Sequence, residues 1–243
     1  MQAMMRNQNT FQALSGSEIF VLDNDGNLWF EQGPFGTAHA RQLVDKPVWT
    51  FQALSTTEIV VLGDDHNLWL EHAPFGSVPP ARQQIDTLVS QYQAITDTEI
   101  FVLGTDGNLW LEQGPFGVIP PPRKQVDTNV KAFEALSDNE LLILDNDDRL
   151  WLASGPFGTL PPQRQEVEEN VTAFQAISDT KIAVLTIDSS LWLEHTLTSL
   201  GHYLPSLYFA YNTGAAAAAP PTPAEAVSTD FNFALKTSSA GGA

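Results

Sequence analysis

The residues of this chain that could do chemistry recur as a set. Trp29, Trp69, Trp110, Trp151 and Trp192 stand 40, 41, 41 and 41 residues apart. Glu31, Glu71 and Glu112 follow two residues after their Trp, and Ala153 stands at that place in the fourth copy. A Pro-Phe-Gly loop comes next, with Phe35, Phe75, Phe116 and Phe157, and then Arg41, Arg82, Arg123 and Arg164. An aromatic face beside carboxylate, amide and guanidinium groups is the composition of a sugar pocket. A Trp at the edge of a groove can offer one ring face to the C–H groups of a pyranose. The same residues also have a plainer reading. Trp packs well between sheets as core, and a Phe fixed between Pro and Gly is costly if left wet, so it either plugs the fold or meets a ligand. Arg and Glu on facing strands form ion pairs. Trp49 falls outside the pattern.

Other chemistries find less support. Asp23-Asn24-Asp25-Gly26 resembles a calcium loop but lacks the EF-hand spacing. Only the middle Asp persists in all copies (Asp25, Asp65, Asp106, Asp147, Asp188), and a turn in which Asp caps backbone amides explains that. His39, His66, His72, His195 and His202 show no metal-ligand spacing. No nucleophile motif or phosphate-cradling Gly loop occurs. A catalytic site needs unequal residues in defined roles, whereas a repeat multiplies one environment. No enzymatic activity and no cofactor are expected.

Composition narrows the partners. The formal net charge is -18, with 11 basic residues. Phosphate recognition leans on Lys and Arg clusters, so neither nucleic acid nor an anionic membrane surface is an expected partner. Absence of Cys rules out disulfides and thiolate metal sites without fixing the compartment, and localisation stays open. Neither an apolar signal region at Met1–Thr10 nor an 18-residue apolar run is present, so no membrane insertion is expected.

The elements that must position these residues are short strands. In the copy beginning at Tyr92, Y-Q-A-I alternates as a first strand should. Glu99–Leu103 is an apolar run suited to a strand buried on both faces. Thr105–Asn108 is a turn, Leu109–Glu112 a third strand and Arg123–Asp127 a fourth. Four antiparallel strands in about 41 residues is the size of a propeller blade. Copies start near residues 11, 51, 92, 133 and 174, predicting an all-β, five-bladed β-propeller of four-stranded antiparallel blades over residues 1–212. The fifth copy lacks an obvious fourth strand after Glu194. Met1–Met5 could supply it and close the ring, with His202–Asn212 the rival. An Ala/Pro-rich linker and tail follow over 213–243, where Asp230–Leu235 reads as a frayed end or as a strand that docks on this chain or on another copy.

The D-G-N-L-W element, intact in the first and third repeats and kept as D-x-x-L-W in the others, resembles the tectonin and tachylectin-type β-propeller lectins. The resemblance covers about residues 1–212. It implies several equivalent sugar sites, one per blade or inter-blade groove, often for N-acetylated or methylated sugars, with glycans as partners. The Pro-Phe-Gly loop has no counterpart in those families. A multivalent carbohydrate-binding protein is therefore the leading expectation, with a protein-interaction scaffold as the alternative and a glycoside hydrolase behind both.

Overall fold

The computed structural model describes residues 10–35, 40–76, 80–117, 121–158, 160, 162–178, 181–195 and 207–209. They form five four-stranded antiparallel sheets, each built from consecutive strands. The first blade is β1 (Thr10–Ser15), β2 (Glu18–Leu22), β3 (Leu28–Gln32) and β4 (Ala40–Asp45). The second is β5 (Val48–Ala53), β6 (Glu58–Gly63), β7 (Leu68–His72) and β8 (Ala81–Asp86). The third is β9 (Val89–Ala94), β10 (Glu99–Gly104), β11 (Leu109–Gln113) and β12 (Arg123–Asp127). The fourth is β13 (Val130–Ala135), β14 (Glu140–Asp145), β15 (Leu150–Ser154) and β16 (Gln163–Glu168). The fifth is β17 (Val171–Ser178), β18 (Lys181–Thr186), β19 (Leu191–His195) and β20 (Leu207–Phe209). This is the blade architecture the repeat predicts.

Strand starts and the last edge differ in detail from the sequence reading. The first strands of the second to fifth blades begin three residues before the aromatic residue, at Val48, Val89, Val130 and Val171. Each of these valines is buried, and each backbone N–H donates to the turn of the preceding blade: to Gly26, His66, Gly107 and Asp148, at 2.8–2.9 Å. The edge of β19 expected for residues 1–5 is taken by Leu207–Phe209, which pairs with Leu191–Leu193. That segment lies within the rival span and follows β19 along the chain, so the blade completes itself in sequence order. Residues 1–9 and the tail, 210–243, lie outside the described residues.

The chain divides into two compact units, residues 1–143 with 153–164, and residues 144–152 with 165–243. In the first, the middle strands explain the apolar runs. Ile59 and Val61 of β6 pack with Phe20, Leu28, Phe30 and Val44. Val60 and Leu62 of the same strand pack with Val89, Ile100 and Val102. Alternate side chains of one strand thus face two cores, and each is worth about 1.5–3 kcal/mol when fully buried. In the second unit, Ile187 N donates to Asn170 O at 2.7 Å and Thr172 Oγ1 donates to Leu185 O at 3.0 Å, fixing the β18–β19 turn and β17.

The β2–β3 turn and its repeats carry a left-handed residue at one place, Gly26 (φ 77°), His66 (62°), Gly107 (78°), Asp148 (61°) and Ser189 (67°). The turn geometry demands positive φ there, which glycine adopts without strain.

Candidate functional site

The repeated Trp is the second residue of each blade's third strand, half-buried, and the pairing of third with fourth strands sets Arg41, Arg82 and Arg123 opposite Glu31, Glu71 and Glu112, two residues beyond it. Arg41 lies over the Trp29 ring at 4.1 Å, Arg82 over Trp69 at 4.1 Å and Arg123 over Trp110 at 4.2 Å. A guanidinium against an indole face is a favourable cation–π arrangement. The cross-strand ion pair forms in the first blade, where Arg41 Nε stands 3.0 Å from Glu31 Oε1; in the second and third, Arg82 and Arg123 stand 3.8 Å from the carboxyls of Glu71 and Glu112.

The structure adds a partner that sequence reasoning missed. Arg82 Nη1 donates to Asp45 Oδ2 at 3.2 Å, Arg123 Nη1 to Asp86 at 3.2 Å, and Arg164 Nη1 to Asp127 at 3.0 Å. Each Arg therefore ties its blade to the one before it. The Asp ends the fourth strand and also caps the next backbone N–H, of Lys46, Thr87 or Thr128, at 2.7–2.8 Å.

Glu71 and Glu112 are fully buried at the same seams. No hydrogen bond to either carboxyl forms among the described residues. Burial, with Asp45 and Asp86 beside them, pushes both acids up to about 9 in spite of the nearby Arg. Each is therefore a neutral acid at neutral pH, next to an Asp–Arg pair. Tyr92, partly buried beside Glu71, donates its hydroxyl to Val60 O at 2.8 Å.

The Pro-Phe-Gly phenylalanines separate into two kinds. Phe75, Phe116 and Phe157 are buried, each against the preceding blade. Phe75 meets Phe20 edge-on at 5.5 Å, Phe157 meets Phe101 at 5.6 Å, and Phe116 joins the core of β6 and β10. Phe35 is 45% exposed. A shallow groove of about 430 Å³ runs beside the last of these loops, lined by Lys124, Ser154, Pro156, Phe157 and Gln163.

A second seam device also escaped the sequence reading. Gln12 and the backbone of Ala53 exchange two hydrogen bonds, each 2.8 Å, and Gln52 with Ala94 and Gln93 with Ala135 repeat the pair at 2.8–2.9 Å. The recurring Q-A dipeptide was its only signal, and alternation along the first strand accounts for that dipeptide equally well.

The turns beside the Trp use two chemistries. In the first and fourth blades an Asp at the turn's start does most of the work. Asp23 accepts from the N–H of Asp25 and Asn27, and from Trp29 Nε1 at 3.0 Å. Asp145 accepts from the N–H of Asp147 and Arg149, and from Trp151 Nε1 at 2.8 Å. Burial pushes the Asp23 carboxyl up, but the bonds from Trp29, Asn27 and Asp25 together hold it below the usual carboxylate range. In the second and third blades glycine stands there, as Gly63 and Gly104. The middle Asp then caps the amide instead: Asn67 N donates to Asp65 at 3.1 Å and Asn108 N to Asp106 at 3.0 Å. The backbone and side-chain bonds from Asn108 hold Asp106 below its ordinary range.

No family model matches the chain, and no curated protein does. Solved structures do. The chain is similar to the WD40 β-propeller domain of Doa1, with a TM-score of 0.53, 11% identity, and coverage of 85% of this chain and 71% of that one. It is also similar to yeast RCC1 (Prp20), solved with Kap60, at a TM-score of 0.49 and 13% identity, covering 76% of this chain and 55% of that one. The first likeness, with the five four-stranded sheets, shows a β-propeller fold.

Proposed function

We propose that this chain is a non-enzymatic, multivalent carbohydrate-binding propeller, with weak sites repeated at the Trp edges of its blades. The carrying observation is the near-identical Trp–Arg stack in the first three blades, at 4.1, 4.1 and 4.2 Å. Equivalent small aromatic-plus-polar sites suit a small repeated ligand, and several weak sites on one scaffold give avidity for clustered glycans. The likeness of the D-G-N-L-W hairpin to tectonin and tachylectin-type lectins supports the same reading. In this proposal the Trp and Arg edges meet the ligand. Phe75, Phe116, Phe157, Glu71 and Glu112 build the seams beneath, since buried side chains offer a ligand no surface. The same closure argues against catalysis: the neutral acids lie beside Asp45 and Asp86, sealed from solvent and from any substrate. A glycan array followed by calorimetry on the retained sugar tests the proposal. Specific retention with a stoichiometry above one is expected, and a blank array with flat calorimetry against common sugars would remove it.

A protein-interaction scaffold is the second reading, favoured by Leu88. This residue takes a left-handed φ of 56° and is 66% exposed, where the later blade connections use Asn129 and Asn170 at 61° and 59°. A bulky apolar residue in that conformation breaks the local rule without a packing gain in the chain itself. A partner contact would supply the compensation.

A further inference from the structure

Resting on the carbohydrate reading, we infer that the second and third blades each carry one open polyol subsite, and that the first and fourth are closed by their own aspartates. The ligand class is a pyranose with neighbouring hydroxyl groups. The subsites are built on Trp69 with Gln84 and on Trp110 with Gln125.

The indole N–H groups differ between the blades. Trp29 and Trp151 donate theirs to Asp23 and Asp145. Among the described residues nothing accepts from Trp69 Nε1 or Trp110 Nε1, because Gly63 and Gly104 stand where the Asp would be. Neither atom is sealed from solvent. An indole N–H at a wet surface is a good donor to a ligand oxygen.

The residue facing the Trp across the sheet differs in the same two blades. Trp69 registers with Gln84 and Trp110 with Gln125, whereas Trp29 registers with Leu43. Residues in register share a face. Gln84 Nε2 donates to Asn67 Oδ1 at 3.2 Å and Gln125 Nε2 to Asn108 Oδ1 at 3.1 Å. That fixes each amide and leaves its Oε1 without a donor among the described residues. One face thus offers a donor and an acceptor side by side, with the Arg82 or Arg123 guanidinium over the ring. A hydroxyl group both accepts and donates, so adjacent sugar hydroxyls satisfy the two at once. In the first blade the indole is already satisfied and its neighbour is apolar.

The turn chemistry makes the difference reversible. A Cβ at Gly63 would stand 2.6 Å from Asp65 Oδ1, and at Gly104 2.5 Å from Asp106 Oδ1. That oxygen is the far end of a flexible side chain, and the first and fourth blades hold an Asp at both places. Gly63→Asp and Gly104→Asp should therefore convert an open turn into a closed one without unfolding the blade.

Indole ¹H–¹⁵N spectra of the full chain test this. In the free protein, Trp69 and Trp110 Nε1–H should exchange with solvent at least about tenfold faster than those of Trp29 and Trp151. Methyl glycosides of glucose, mannose and galactose and N-acetylglucosamine serve as probes. A binding sugar should shift Trp69 and Trp110 together and leave Trp29 and Trp151 in place. The Gly63→Asp, Gly104→Asp double variant, or Trp69→Phe with Trp110→Phe should one refuse to fold, should weaken that binding at least tenfold. Equal exchange at all four indoles overturns the assignment, as do shifts centred on Trp29 and Trp151 or undiminished binding in a folded variant. If calorimetry detects a sugar that moves neither Trp69 nor Trp110, this assignment fails and the carbohydrate reading stands. If no probe binds by either method, both fail.

Discussion

The seams on either side of the third blade are built from the same parts save one. Between the second and third blades, Phe116 plugs the preceding core, Arg123 bridges to Asp86, and Glu112 lies buried beside that pair. Between the third and fourth, Phe157 plugs and Arg164 bridges to Asp127, but Ala153 replaces the acid. Plug and bridge are therefore what a seam needs, while the acid is dispensable. The acid also carries a cost, because a carboxyl sealed from water must stay protonated.

The largest expected effect attacks what the two seams share. Phe116→Ala and Phe157→Ala should each destabilise by about 3–5 kcal/mol, the usual cost of emptying an aromatic core site. Urea midpoints measure both, and a large inequality would break the equivalence. Removing a bridge comes next. Arg123→Ala leaves Asp86 without its cation and should cost about 2 kcal/mol, less than a fully buried pair because the guanidinium is 30% exposed.

The acids should show as pH dependence. The folded value of about 9 for Glu71 and Glu112 lies above the ordinary 4.5. Between those limits the folded chain holds protons that the unfolded chain releases, so stability falls as pH rises from about 4.5 to 9. Below 4.5 both states are protonated, and the contribution of these groups is fully present and constant. The Glu71→Gln, Glu112→Gln variant should flatten the profile and gain at least about 1.4 kcal/mol relative to the parent at pH 9, one pKa unit of free energy. A parallel pair of profiles would contradict the burial of these acids. The smallest effect is at the blade connection. Leu88→Asn should raise stability by about 1 kcal/mol by relieving left-handed strain, read as a shift of roughly 2–4 °C in melting temperature.

How much of this was legible follows from range. The middle strands announced themselves because Ile100–Leu103 face two cores at once and so read as an unbroken apolar run. The turns read through Gly107 and Asp106. The cross-strand Arg–Glu pair was legible as an alternative because register places its members opposite each other. The Arg82–Asp45 bridge and the Gln52–Ala94 exchange were not, since their members lie 37 and 42 residues apart and one uses backbone atoms that carry no sequence signal. Nor does a carboxylate's identity say whether it is sealed: Glu31, still partly open to solvent in the first blade, and Glu71, fully buried in the second, are the same letter. The Gly-for-Asp exchange at residues 63 and 104 was visible, but its consequence for the indole N–H needed the turn geometry.

Phe116→Leu, followed by melting and by titration with a retained glycoside, tests most directly the division between seam and edge. The melting temperature should fall by about 2–8 °C, the equivalent of 1–2 kcal/mol, with sugar affinity unchanged. An unchanged melting temperature with lost affinity would contradict it and place the loop phenylalanine in the ligand site.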